Sequence, residues 1–253
     1  MTIALVHGNP ETAAIWKLLI PELEQRLGQP QSIVCLSPPG FGAPLPEGFG
    51  ATSDDYLAWL ADTLKTLDGP VDLIGHDWGG GHVARIAMSH PELIRSWCID
   101  LAGCLDPEYV WHDLAQVWQT PGAGEQAVQA MIGGPVEERV ARYAGLGMTP
   151  DIAAEVTAAA DEDMGRAVLS LYRSAVQPFM SDIGGQFEQA AANPGLAIIP
   201  TADHFTGGEK LARRSAARAN AEIVVLEGLG HWWMCENPAA GAEAIANFLN
   251  RLS

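Results

Sequence analysis

The chemistry this sequence can offer gathers at three places along it. The apolar run Leu73-Ile74 leads into Gly75-His76-Asp77-Trp78-Gly79, a small-x-acid-x-small pattern. Such a corner turns a strand sharply into a helix, and it needs small flanking residues because backbone atoms come into contact there. The strain lifts Asp77 above the sheet, and the backbone N–H of Trp78 faces the same space. A serine usually stands at this apex. Taken alone, an aspartate there is equally well a helix N-cap. Two further stretches change its meaning. Val6-His7-Gly8-Asn9-Pro10 follows the first apolar run, where this architecture builds half of an oxyanion hole. Gly230-His231-Trp232-Trp233 supplies a base, and Ile198-Ile199-Pro200-Thr201-Ala202-Asp203 places an acid just past a strand end. The chain order is nucleophile, acid, base, the order of covalent catalysis. Asp100, at the end of another apolar run, is a rival acid.

The elements that must position these residues follow from periodicity. Short apolar runs alternate with amphipathic segments, the pattern of a mostly parallel sheet with crossover helices. Strands are expected near 2–6, 32–36, 71–75, 95–101, 195–200 and 222–226, and helices near 11–27, 53–67, 79–90, 207–219 and 238–251. The last helix has Asn237 as N-cap and Pro238 at its first position. Every candidate residue then falls at a carboxyl end of a strand, where open α/β sheets put their sites. Residues 103–186 interrupt the alternation with helical segments punctuated by glycine and proline. They are read as a helical cap, with 1–102 and 187–253 as the core.

Composition narrows the function classes. A chain of 253 residues fits one domain with an inserted subdomain. Its net charge of −17 repels phosphate backbones and anionic lipid, which excludes nucleic acid and membrane surfaces as natural partners. The four cysteines show no CxxC spacing, and no basic leader or membrane-length apolar run is visible, so a cytoplasmic protein is expected. His76 and His82 near Asp77 match no zinc spacing. Gly40-Phe41-Gly42 has no helix after it, so no dinucleotide site is expected. No metal or cofactor is called for.

The segments "HGNPETAAIWKLLIPEL" (His7–Leu23), "GHDWGGGHVARIAMSHPELI" (Gly75–Ile94) and "GHWWMCENP" around His231 resemble the α/β-hydrolases with an aspartate nucleophile, namely epoxide hydrolases and haloalkane dehalogenases. The resemblance spans nearly the whole chain. It implies that Asp77 attacks an electrophilic carbon to form an alkyl-enzyme ester. His231, oriented by Asp203, then activates water to hydrolyse that ester, while the N–H groups of Asn9 and Trp78 hold the oxyanion. Some dehalogenases carry their acid where Asp100 stands. Family members usually have two strands before the strand leading into HG; here that strand begins at Thr2. About six strands are therefore expected, with 32–36 at an edge open to homodimer pairing.

Two chemistries stay open. Dehalogenation needs halide donors, which the resemblance assigns to Asn9 and Trp78. Epoxide opening needs a proton donor from the cap. The segment around Tyr172 resembles that motif, as does Trp118–Glu125. Leu114, however, stands where a first tyrosine is expected, with His112 or Tyr109 as substitutes. Tyr172 and His112 also admit plain packing roles. The balance favours a small apolar epoxide, with candidate pocket residues Trp111, Trp118, Phe179 and Trp232. A catalytically silent ligand-binding homologue is the reading from a different class.

Overall fold

The computed structural model describes residues 2–28 and 32–252. Six strands form one parallel sheet: β1 (Thr2–Val6), β2 (Ser32–Leu36), β3 (Val71–Gly75), β4 (Ile94–Ile99), β5 (Gly195–Pro200) and β6 (Glu222–Leu226), in the order β2-β1-β3-β4-β5-β6. The central strands are almost wholly buried, because parallel strands carry helices on both faces and so read as continuous apolar runs. Alternation along each strand feeds two cores. Ala4, Val6, Leu73 and Ile99 face one, while Ile3, Leu5, Ile74 and Cys98 face the other. As expected, β2 lies at an edge.

The helices are α1 (Leu19–Leu27), α2 (Ser53–Leu64), α3 (Trp78–Ser89), α4 (Asp113–Gln119), α5 (Ala123–Ile132), α6 (Val136–Gly145), α7 (Pro150–Ala159), α8 (Glu162–Ser174), α9 (Phe179–Gly184), α10 (Gly208–Arg218), α11 (Trp233–Glu236) and α12 (Pro238–Arg251). The expected helix at 11–27 is split into a 3-10 turn at Ala13–Trp16 and α1. Pro21 explains the split: it lacks an N–H and is tolerated only in a first turn, where α1 places it. Asn237 caps α12 through the Ala240 N–H, as expected.

The strand order reverses between β1 and β3, so the loops after these two strands diverge and leave a crevice at their carboxyl ends. Helices α4 to α9 are inserted between β4 and β5. The two ends of the insert meet. A Cβ on Gly184 would lie 2.2 Å from the Leu105 carbonyl oxygen. Arg218 donates to the carbonyls of Leu105 and Gly184, each at 2.8 Å, and Arg214 of the same helix forks onto buried Asp106.

Candidate active site

Asp77 occupies the crevice with φ 50° and ψ −129°, a conformation non-glycine residues rarely adopt. The neighbouring glycines are what permit it. A Cβ on Gly79 would sit 2.2 Å from the Val6 carbonyl oxygen, and one on Gly8 would sit 2.3 Å from Asp77 Oδ1. The loop after β1 is thus pressed against the corner after β3. Asn9 donates its backbone N–H to Asp77 Oδ1 at 3.1 Å. The other carboxylate oxygen, Oδ2, lies 3.7 Å from His231 Nε2.

His231 Nδ1 lies 2.9 Å from Asp203 Oδ2, and Asp203 Oδ1 accepts the Phe205 N–H at 2.7 Å. A proton held on Nδ1 by this carboxylate leaves Nε2 as the acceptor facing Asp77. Burial alone would lower the His231 pKa, but the Asp203 carboxylate outweighs it and holds the value above the ordinary imidazole range. Burial opposes ionisation of Asp203, while the adjoining imidazole and the Phe205 N–H pull its pKa below the usual carboxylate value. The structure brings Asp77, His231 and Asp203 together.

Asp100 lies one layer lower and does not reach His231. Its oxygens bind His76 Nδ1 at 2.5 Å, the Asp77 N–H at 3.0 Å and the Trp233 indole N–H at 2.7 Å. Glu11 closes the other side of His76, with Oε2 3.6 Å from Nε2. Glu11 also accepts the Gly8 N–H at 2.8 Å and the Trp232 indole N–H. Burial works against charge on His76, yet its two carboxylates raise its pKa to about 10. This sealed layer ties together the loop after β1, the Asp77 corner and the loop carrying His231. Sequence reasoning missed Glu11 altogether and left His76 unexplained; a glutamate two residues past Asn9, ahead of the apolar run Ala13-Ala14-Ile15-Trp16, was the available signal.

Above Asp77 is a cavity of about 140 Å³, whose lining includes Asn9, His112, Trp118, Tyr172, His231 and Trp232. A side space of about 20 Å³, roughly enough for one water, adjoins Asp77 between Trp78, Trp111, Tyr109 and Tyr172. His112 caps α4 by accepting the Ala115 N–H on Nδ1 at 3.2 Å, which leaves the proton of the neutral ring on Nε2. Burial lowers its pKa, so the ring stays neutral. Tyr172 is buried, which drives its pKa well above 10, and its ring meets that of Trp78 edge-on with centroids 5.5 Å apart. Tyr109 spends its hydroxyl on the Phe205 carbonyl at 2.9 Å. Asn9 presents side-chain N and O atoms that are buried and unpartnered among the described residues.

One expectation is corrected. Phe179 does not line the cavity; the first residue of α9, it packs half-buried against the core with its ring 5.6 Å from the Arg85 guanidinium, a cation–π contact. Met131, Arg142, Tyr143 and Phe205 line the cavity instead and were not foreseen, and Leu114, at the position expected of a first cap tyrosine, lines it with them.

A profile of the alpha/beta hydrolase family matches residues 3–244, and the chain belongs to that family. A 2-(acetamidomethylene)succinate hydrolase of Mesorhizobium japonicum is 24% identical over 256 residues, covering 96% of this chain and 86% of its own. A haloalkane dehalogenase of the same organism is 26% identical over 139 residues, or 50% of this chain and 42% of its own. Among solved structures, a haloalkane dehalogenase of Bradyrhizobium elkanii superimposes with a TM-score of 0.75 at 19% identity, covering 99% of this chain and 89% of that one. A serine hydrolase of carbazole degradation has a TM-score of 0.70 at 19% identity, covering 99% and 91%. The fold therefore accommodates different chemistries, and the residue at the corner must decide between them.

Proposed function

We propose that this alpha/beta hydrolase opens a small epoxide through an ester on Asp77, with residues 103–186 acting as the cap that encloses the substrate. The observation that carries the reading is the pair of neutral donors facing Asp77: His112, whose Nδ1 is occupied so that Nε2 holds the proton, and the buried hydroxyl of Tyr172. In this mechanism Asp77 Oδ2 attacks an epoxide carbon and the C–O bond breaks. Its electron pair goes to the ring oxygen, which takes a proton from His112 or Tyr172. His231 then removes a proton from water, which attacks the ester carbonyl carbon. The resulting oxyanion falls on Oδ1, the atom that already accepts the Asn9 N–H, and the Trp78 N–H is assigned the second place. Collapse of the intermediate releases a diol and regenerates the carboxylate.

A second reading, haloalkane dehalogenation, is favoured by one observation. The unpartnered Asn9 side chain borders the cavity, as a halide donor would. The two are separated with His231→Gln, which should stall at the ester. Incubated with 1,2-epoxyhexane and, separately, 1-chlorohexane, this variant is digested and the Asp77 peptide weighed. Gain of the whole epoxide mass on Asp77 supports the proposal. Gain of an alkyl group with chloride release supports dehalogenation. An unmodified Asp77 with both reagents overturns both in favour of a silent binding protein.

A further inference from the structure

We infer that the natural substrate bears a carboxylate and that Arg142 receives it at the outer end of the cavity. The inference deepens the ester reading by naming a substrate class. The chain holds 31 acidic residues against 14 lysines and arginines, so a cation here is rarely short of a counter-charge. Arg85, Arg95, Arg173 and Arg214 all pair with carboxylates. Without one are Arg139 and Arg218, which donate to backbone carbonyls at 2.6 and 2.8 Å, and Lys210, which is exposed and does not line the cavity.

Arg142 differs from both groups. It lies exposed on α6 and forms no ion pair among the described residues, not even with Glu138 one turn earlier. Its hydrogen bond is a long one, 3.5 Å to the Ala130 carbonyl. Yet it lines the same cavity as Asp77. The wall it shares with Asp77 is largely apolar, formed by Trp118, Met131, Leu146 and Trp232. Tyr143 does not break this pattern, because its hydroxyl donates to the Pro10 carbonyl at 3.1 Å. His112 stays neutral. Leu114 and Leu146, both substantially exposed, locate the mouth on the same side as Arg142.

The cavity therefore has a reacting end, an apolar middle and one free cation at the rim. Its complement is a small molecule with an electrophilic carbon at one end, a short hydrocarbon spacer and an anion at the other. A guanidinium takes a carboxylate through two parallel N–H donors, a geometry no other lining side chain offers.

The test is equilibrium binding, which needs no turnover. Hexanoate and hexanamide share shape and differ in charge, and either can be titrated by the fluorescence of the cavity tryptophans. The wild type should bind hexanoate more tightly than hexanamide. Arg142→Gln, a surface change on a helix, should weaken hexanoate about fivefold to tenfold and leave hexanamide within about twofold. Arg142→Lys should recover part of the loss. Equal affinity of the wild type for the two, no binding of hexanoate at millimolar concentrations, or an equal loss of both in Arg142→Gln overturns the inference. A parallel pair, 5,6-epoxyhexanoate and 1,2-epoxyhexane, should show the Arg142→Gln effect in KM for the acid alone, with kcat unchanged. Failure of the ester reading would appear instead as an unmodified Asp77, whatever the binding result.

Discussion

Two Asp–His pairs stand side by side in this molecule, their imidazole rings 4.6 Å apart. His231 holds Asp203 on Nδ1 at 2.9 Å and turns Nε2 toward Asp77, 3.7 Å away, and the cavity. His76 holds Asp100 on Nδ1 at 2.5 Å, turns Nε2 toward Glu11, 3.6 Å away, and is wholly buried. Carboxylates raise both pKa values, that of His76 to about 10, which fixes its charge across neutral pH. The same arrangement is thus open to proton transfer in one position and sealed as a strut in the next. The difference comes from access to the cavity.

Replacing each histidine in turn is the sharpest way to break this comparison. His231→Gln should lower steady-state turnover about 10³-fold or more while shifting the melting temperature by only a few degrees. His76→Gln leaves Glu11 and Asp100 buried without their cation, at a cost of about 3–5 kcal/mol. It should therefore lower the melting temperature by about 10 °C or more. A His76→Gln protein of full stability and no activity would make His76 a second base and end the distinction.

A smaller effect follows from pH. Water activation needs neutral His231, so kcat should rise with pH through a value above 6.5. Asp203→Asn removes the raising charge and should move that limb to lower pH, along with a drop in rate. The strut behaves oppositely in stability. A folded pKa of about 10 against 6.5 means its contribution is complete below about pH 6.5 and is lost as pH rises through about 10. The difference in melting temperature between wild type and His76→Gln should narrow over that interval. The smallest change expected is Tyr172→Phe, about tenfold in kcat for an epoxide, because His112 still offers a proton.

The strands and the Asp77 corner were legible because each is written in a short contiguous pattern: buried parallel strands as apolar runs, the corner as closely spaced glycines. Asp77, Asp203 and His231 could be listed for the same reason, each lying just past a strand end. Glu11 was not legible, since a loop residue carries no period and its burial depends on Trp232, over 200 positions away. The cavity walls were harder still. Phe179 and Met180 are adjacent, yet Phe179 meets Arg85 and Met180 borders the side space, a choice made by how α9 is rotated on its neighbours. Arg142 and Met131 enter the cavity from α6 and α5 through helix packing angles that no single segment encodes.

The meeting of Leu105 with Gly184, clasped by Arg218, has an evolutionary corollary. A segment whose two ends join the rest of the chain at one point behaves as a cassette. Lengthening or exchanging it adds little loop-closure entropy and leaves the parallel sheet untouched. The residues that select a substrate can then drift quickly while the floor beneath Asp77 stays as it is. Grafting another member's insert between positions 105 and 184 is the corresponding route to new specificity.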